Sequence, residues 1–247
     1  MSIAILTFCV GADYKRAMEP GLESKRNYAK KHGYDLHIGG EDVWDRSRPI
    51  PWSKLKFIVQ HIDNYDYLFV SDADVIILDP TQRLETFLHE LLPPNKDLLW
   101  TLDACNHYNN GNMFLRGRNA WAKGFLERAY NQTELLHHIW WDNAGMIRLF
   151  EQPDDAKHIE TTKSHWLFNA YVFGLGKQER LYKPGDFLIH FAGVYDIWNI
   201  YRMMKYVSER ATHQQPVEFE RLDVWRENPP LDRRGAEESL SEGTVRM

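Results

Sequence analysis

Tyr67-Leu68-Phe69-Val70-Ser71-Asp72-Ala73-Asp74 joins a continuously apolar run to two acids that lie one residue apart. A short run of this kind predicts a β-strand that is covered on both faces, as in parallel α/β sheets. Ligand crevices form beyond the carboxyl ends of such strands. Two carboxylates on a turning backbone can reach one hard divalent cation and the phosphate oxygens bound to it. The bare triplet is more often a pair of solvated acids that ends a strand, so its surroundings decide the interpretation.

The segments on either side of this stretch alternate between strand and helix patterns. Ahead of it, the patterns predict a strand at 3–10, a helix at 20–32 with Pro20 in its first turn and Gly33 at its end, a strand at 34–38 and a helix capped by Ser53. After it, they predict a strand at 75–78, a helix at 84–92 and a strand at 98–102. This alternation predicts an α/β fold.

The second half of the chain is less regular. Its patterns predict strands at 113–115 and 187–191 and helices at 121–130, 134–150 and 195–210. From Gln214 onward the chain is charged and interrupted by proline, which is typical of a tail or a segment that wraps the surface. We therefore predict one domain over residues 1–212, followed by a charged tail at 213–247.

Composition narrows the function classes. A formal net charge of −5 argues against general affinity for nucleic acid, which needs a surplus of Lys and Arg. The N-terminal residues lack the pattern of a signal peptide, and no apolar run is long enough to cross a bilayer, so any membrane association is expected to be peripheral. Cys9 and Cys105 are the only cysteines, which favours a reducing, cytoplasmic location over a disulfide framework.

Several polar residues are candidates for ligand contacts. Asn110-Gly111-Asn112 offers two amides that suit sugar hydroxyls and a glycine that permits close approach, although Asn-Gly is also a common turn. Lys54, in the first turn of its helix, can pair with a diphosphate or belong to a solvated helix face. Thr7 lies where the first strand ends, the usual place for nucleotide recognition in α/β folds.

Aromatic residues in the second half have two interpretations. Trp140 and Trp141, with Trp166 and Phe168, can form a stacking platform for an acceptor sugar. Side chains of this size are more often core residues, because they bury so much apolar area. We therefore predict that they belong to the core and do not assign them to the site.

Four motifs, in the same order along residues 1–205, resemble the retaining glycosyltransferases of family 34, which include fungal galactosyl- and mannosyltransferases and plant xyloglucan xylosyltransferases. They are Trp52-Ser53-Lys54, Tyr67 to Asp74, Asn110-Gly111-Asn112-Met113-Phe114-Leu115-Arg116 and Gly185-Asp186-Phe187-Leu188-Ile189-His190-Phe191-Ala192-Gly193. The resemblance implies a single GT-A domain, a Rossmann-like nucleotide-diphospho-sugar transferase fold with a central mixed sheet flanked by helices.

The resemblance also implies roles for individual residues. Asp72 and Asp74 of the DXD motif, joined through Ala73, would bind Mn²⁺ or Mg²⁺ together with His190, and Gly193 would belong to the same ligand-binding segment. Asn110 and Asn112 would lie in the donor-sugar pocket. Asp142 would lie near the anomeric carbon as a catalytic residue or be a helix-capping acid, and Asn143 stands where the family commonly has glutamine.

Together these features predict a metal-dependent glycosyltransferase of glycan biosynthesis, which moves a sugar from a nucleoside diphosphate sugar to a glycan hydroxyl. The resemblance implies that the anomeric configuration is retained. A UDP-sugar is favoured over a GDP-sugar as the donor. The segment around Asp72 also resembles the nucleophile motif of haloacid-dehalogenase-like phosphatases, where Asp72 would attack phosphorus. That strand normally comes first in such enzymes, and here two predicted strands precede it. A non-catalytic carbohydrate-binding domain is the third alternative.

Overall fold

The computed structural model describes residues 1–103, 107–173 and 180–227. Its centre is a 6-stranded mixed sheet with the strand order β2-β1-β3-β6-β5-β7. The strands are β1 (Ile3–Phe8), β2 (Asp35–Gly39), β3 (Tyr67–Ser71), β5 (Leu98–Leu102), β6 (Tyr108–Arg116) and β7 (Ile159–Thr162). β1 pairs in parallel with β2 and β3, whereas β6 is antiparallel to both β3 and β5. The predicted α/β fold with a central mixed sheet is therefore confirmed.

Helices cover both faces of the sheet. They are α1 (Ala12–His32), α2 (Trp52–His61), α3 (Leu84–Leu91), α4 (Ala120–Tyr130), α5 (Trp141–Phe150), α6 (Pro153–Ala156), α7 (Ile197–Thr212) and α8 (Phe219–Glu227), with short 3-10 turns at Thr133–Leu135 and His165–Leu167. α2 packs against α4, and α1 packs against α7. Burial of apolar side chains between these layers supplies the main stabilisation of the fold.

A second, two-stranded sheet lies next to the acidic triplet Asp72-Ala73-Asp74. β4 (Val75–Ile77) pairs antiparallel with β8 (Leu188–His190), and Val75 lies opposite His190. β4 follows the acidic triplet directly, so this pairing brings a residue more than 100 positions away to the triplet. In the main sheet, Ser71 at the end of β3 lies opposite Asn112 of β6. The two pairings surround the triplet with polar groups from distant strands.

Two helix starts differ from the predictions. Pro20 lies inside α1, which begins at Ala12, because burial of neighbours such as Met18 and Leu22 outweighs the hydrogen bond that proline cannot donate. Ser53 does not cap α2, which begins at Trp52; its Oγ instead accepts a hydrogen bond from the Asp45 backbone N–H at 2.9 Å.

Two segments in the second half also differ from the predictions. Asn110-Gly111-Asn112 is not a turn, because it lies within β6. The helix predicted at 134–150 is interrupted, and α5 begins only at Trp141, whose φ of 44° is incompatible with a continuous right-handed helix.

The chain after α7 continues as α8, whose Leu222 is buried against the α1–α7 layer. The predicted tail at 213–247 thus contains a packed helix at its start, and its residues 228–247 lie outside the described part of the chain, as does Cys105. The boundary at residue 212 stays a prediction. Among the described residues, no helix is both long and apolar enough to cross a membrane.

Candidate active site

A cavity of about 950 Å³ opens at the edge of the sheet where β1 and β3 end. Most of the residues predicted from the sequence to contact ligands line it: Lys54, Asp72, Ala73, Asp74, Asn110, Asp142, Asn143, His190 and Gly193. The size fits a nucleotide-scale ligand, since small-molecule sites are typically ~300–1,000 Å³. The cavity is thus the place where these residues can act together.

Asp72, Asp74 and His190 converge on one point of the cavity wall. One ligand atom from each lies within 4.8 Å of the others. His190 Nδ1 lies 2.9 Å from the amide oxygen of Asn169, a contact that directs Nε2 towards Asp74, whose Oδ1 is 3.4 Å away. A hydrogen bond that fixes the ring in this way is the usual support of a metal-bound histidine. Two carboxylates and an oriented imidazole can hold a divalent cation, as the predicted ligand set requires.

Gly111 makes this arrangement sterically possible. A Cβ atom at this position would lie 2.2 Å from Cε1 of His190. The backbone of β6 therefore passes directly beside the imidazole, and the Gly111 carbonyl accepts a hydrogen bond of 2.7 Å from the Asp72 N–H. The glycine between the two asparagines is needed for close approach.

Lys54 joins the acidic triplet to Asp142. Its Nζ is 2.9 Å from Asp72 Oδ1 and 3.3 Å from Asp142 Oδ2, and it also donates to the Asn110 side-chain oxygen at 3.1 Å. The lysine is buried, with 6% of its surface exposed, so the predicted alternative of a solvated helix face is wrong. Burial alone would lower the pKa of Lys54, but Asp142 and Asp72 outweigh it and raise the pKa above its usual value.

Asp142 is held from a second side by the asparagines. The Asn110 side-chain amide donates to Asp142 Oδ2 at 2.7 Å, and the Asn110 backbone N–H donates to the Asn143 side-chain oxygen at 3.1 Å. Asn143 donates in turn to the Tyr108 carbonyl at 2.7 Å. Asp142 is buried in the first turn of α5 and still lines the cavity. Its fixed carboxylate adds a third acidic group to Asp72 and Asp74. We call the six residues that meet here the polar cluster: Lys54, Asp72, Asp74, Asn110, Asp142 and His190.

The two carboxylates of the triplet have different electrostatic environments. Burial raises the pKa of Asp72, Lys54 opposes that rise, and the charge of Asp74 adds to it. Burial likewise favours neutral Asp74, but His190, Lys25 and a backbone hydrogen bond together outweigh it and lower the pKa of Asp74. Two close carboxylates resist simultaneous ionisation, and a bound divalent cation would remove that resistance.

Two predicted ligand residues do not line the cavity. Thr7 is buried within β1, although Phe8 and Val10 from the end of the same segment reach the cavity wall. Asn112 is buried and donates to Asn169 at 2.8 Å, the same amide oxygen that His190 uses. Direct contacts of Thr7 and Asn112 with a ligand stay predictions. Asn112 supports His190 indirectly, through the Asn169 side chain that both residues contact.

The structure also adds residues that the sequence did not indicate. Asn169 orients His190, and Tyr14, Tyr171 and Arg226 line the cavity, the last from α8. Asn169 stands in no recognisable motif, so no local signal indicates it.

Three exposed aromatic residues also line the cavity: Trp140, Trp141 and Tyr195, with 37%, 45% and 92% of their surfaces exposed. We call these three residues the aromatic rim. The prediction that both tryptophans are core residues is wrong, whereas Phe168 is indeed buried.

Comparison with known sequences supports the predicted resemblance. The model of the galactosyl transferase GMA12/MNN10 family matches residues 3–99, a range that contains Lys54, Asp72 and Asp74. No curated protein is significantly similar to the chain.

Comparison with solved structures identifies the fold. A glycosyltransferase involved in the glycosylation of the major capsid of PBCV-1 superposes with a TM-score of 0.66 at 13% identity, covering 83% of this chain and 100% of that one. The glycosyltransferase GlyE of Streptococcus pneumoniae TIGR4 superposes with a TM-score of 0.55 at 15% identity, covering 91% of this chain and 63% of that one. The GT-A fold is therefore confirmed. The chain therefore shares the GT-A fold of these glycosyltransferases, and its residues 3–99 match the model of the galactosyl transferase GMA12/MNN10 family.

Proposed function

We propose that this protein is a metal-dependent glycosyltransferase that moves a sugar from a nucleoside diphosphate sugar to a glycan hydroxyl with retention of anomeric configuration. We favour a UDP-sugar over a GDP-sugar. The observation that carries this proposal is the convergence of Asp72, Asp74 and His190 within 4.8 Å at the wall of the 950 Å³ cavity, beside Lys54 and Asp142. A metal bound there supplies charge stabilisation for a diphosphate.

The chain's own residues have distinct tasks in this proposal. Lys54, held by Asp72 and Asp142, places a permanent positive charge where a departing diphosphate gains negative charge. Asp142, fixed by Asn110 and Lys54, supports the positive charge that develops on the sugar ring as the bond between the anomeric carbon and the phosphate oxygen breaks. The acceptor oxygen bonds to that carbon on the same face, and its proton passes to the departing diphosphate.

The two alternative functions make different demands on the site. A phosphatase of this type normally has the nucleophile on its first strand, whereas β1 and β2 precede the strand that ends before Asp72. A carbohydrate-binding domain needs neither the Asp72, Asp74 and His190 group nor the buried lysine. A carbohydrate-binding domain would leave the charges of the polar cluster without a task, and we therefore favour the transferase over both alternatives.

A thermal-shift screen tests the proposal. UDP, GDP, UDP-glucose, UDP-galactose, UDP-xylose and GDP-mannose are each added with and without Mn²⁺, because a ligand that binds only the folded state raises its apparent stability. We expect a UDP compound to raise the Tm only when Mn²⁺ is present, and Asp74→Asn to abolish that rise. Asp154→Asn, at a side chain that is 99% exposed, is the matched control. Metal-independent glycan binding, or metal-dependent turnover of a simple phosphate ester, would support an alternative function.

A further inference from the structure

The aromatic rim has the properties of a binding surface rather than of a core. Trp140, Trp141 and Tyr195 come from two separate segments of the chain, yet they line the same cavity as Asp142. Large aromatic side chains usually contribute their area to burial, whereas these three keep 37%, 45% and 92% of their surfaces exposed. Exposed aromatic surface that is concentrated at a cavity indicates a ligand.

Trp141 adds a second, independent observation. Its φ of 44° is unusual for a bulky residue, and strain of this kind persists only where the surrounding structure enforces it. No aromatic ring of the described residues stacks on Trp141, so ring packing within the protein does not account for the conformation. Gly or Asn would occupy this position more easily. The strained backbone thus presents an indole to the cavity at a cost in stability.

Trp140 is fixed more firmly than Trp141. Its ring centroid is 4.3 Å from that of His107 and 5.2 Å from that of His138, and its backbone N–H donates to His138 Nδ1 at 3.1 Å. A rigid ring therefore stands next to the strained one at the start of α5. Asp142 follows at once, so its Cα is about 3.8 Å from that of Trp141. Both side chains line the cavity, so a ligand on Trp141 shares that space with the carboxylate that we place beside the reacting sugar.

The geometry points to an acceptor subsite in which Trp141, flanked by Trp140 and Tyr195, stacks against the apolar face of a pyranose ring of the acceptor glycan. This inference rests on the proposed function, because it names the substrate class of the second half of the same cavity. A pyranose has an apolar face for the indole and hydroxyls at its edge. His107 and Asn109, at the start of β6, line the same cavity, and they offer polar groups for those hydroxyls.

Saturation-transfer NMR tests the subsite without requiring turnover. Methyl glucoside, methyl galactoside, methyl mannoside and methyl xyloside are each measured with the full chain in the presence of UDP and Mn²⁺. We expect at least one glycoside to receive saturation at its ring C–H protons, and Trp141→Gly to weaken its binding at least about fivefold, the scale of a single aromatic stacking contact. Trp141→Phe keeps a ring and should retain most of the binding, whereas Trp141→Leu keeps apolar area without a ring and should lose it.

The choice of glycine guards against loss of the fold. Gly relieves the positive φ of position 141, so this variant should unfold at the same temperature as the wild type or at a higher one.

Metal-dependent binding of UDP, measured on the same samples, reports on the proposed function separately. If UDP and Mn²⁺ bind normally but no glycoside binds in a Trp141-dependent way, the acceptor subsite is wrong and the transferase proposal stands. Failure of UDP and Mn²⁺ to bind, with Trp141-dependent glycoside binding intact, would instead overturn the transferase and leave a sugar-binding surface. Equal binding of octanol, lost in Trp141→Gly, would show that the surface takes alkyl chains rather than sugar rings.

Discussion

The polar cluster and the aromatic rim are two ends of one cavity, and they are built in opposite ways. The polar cluster stands at strand ends and the first turns of helices, is largely buried, and is joined by contacts such as Lys54 to Asp72 at 2.9 Å and Asn110 to Asp142 at 2.7 Å. The aromatic rim stands on loops and at the start of α5, and its side chains are exposed. The first arrangement suits a ligand part that is always the same, such as a diphosphate; the second suits a part that varies, such as an acceptor.

Removing a charge from the acidic triplet should have the largest effect on function. Asp74→Asn keeps the shape of the side chain but withdraws a proposed metal ligand that now faces His190 Nε2 at 3.4 Å. We expect turnover to fall by about 10³-fold or more, since a metal supplies several kcal/mol of charge stabilisation. Steady-state kinetics with Mn²⁺ and the best UDP-sugar measure this. Turnover at the wild-type rate would show that the polar cluster is not a metal centre.

Lys54→Met should be the next largest change, and it should affect both stability and activity. It leaves Asp72 and Asp142 buried without their shared cation, and loss of one partner from a buried pair costs about 3–5 kcal/mol of unfolding free energy. Activity should fall about 10²-fold, the scale of a lost electrostatic group. Lys56→Met, at an exposed position on the same helix, is the control for chemical denaturation and kinetics. Equal behaviour of the two variants would contradict the role of Lys54.

Gly111→Ala should weaken the metal site without altering any of its ligands. The added Cβ would lie 2.2 Å from His190 Cε1, so the imidazole must move. Changes in groups that orient a metal ligand typically reduce metal affinity ~10- to 100-fold. Gly124→Ala in α4 is the matched control, because its Cβ would meet nothing closer than 3.5 Å and alanine favours a helix. Calorimetric titration of Mn²⁺ with UDP present compares the two variants; unchanged affinity in Gly111→Ala would exclude His190 as a ligand.

Lys25 lies beneath the triplet, and its titration should make the unfolding free energy depend on pH. We expect this to be the smallest of the four effects. It is fully buried and donates to the Val75 carbonyl at 2.6 Å. Burial lowers its pKa to about 7, although Asp74 and Asp72 oppose the shift. Between pH 7 and 9 the unfolded chain therefore binds more protons at this side chain, and the unfolding free energy rises by up to ~1.4 kcal/mol per pH unit. Below pH 7 this contribution is flat, because both states are protonated.

Lys25→Met removes this titration, so its denaturation profile should be flatter than that of the wild type over the same two pH units. Lys30→Met, at an exposed position of α1, should keep the wild-type slope. A wild-type slope in Lys25→Met would mean that another group causes the pH dependence.

The two ends of the cavity also differ in what the sequence could predict. The strand before Asp72 has a strong local pattern, and the end of a strand is where α/β folds bind ligands. His190 followed only from family resemblance, because it reaches the triplet through the β4–β8 pairing, and such long-range register is not written in local periodicity. Asn169 had no signal at all, since it acts through a single contact to His190.

The aromatic rim was missed for a different reason. General tendencies place tryptophan in cores, and nothing local distinguishes Trp141 from a core residue. Its exposure and its positive φ arise from where α5 begins, which the pattern over 134–150 did not reveal. Pro20 shows the reverse case, because tertiary burial keeps α1 continuous through a residue that normally begins or ends a helix.

The most direct test of the metal centre is pulsed electron paramagnetic resonance of the protein with UDP and one equivalent of Mn²⁺. The account predicts one bound Mn²⁺ per chain, with a nitrogen coupling from an imidazole that is present in the wild type and lost in His190→Gln. Bound Mn²⁺ without a nitrogen coupling, or with a coupling that persists in His190→Gln, would contradict the Asp72, Asp74 and His190 ligand set.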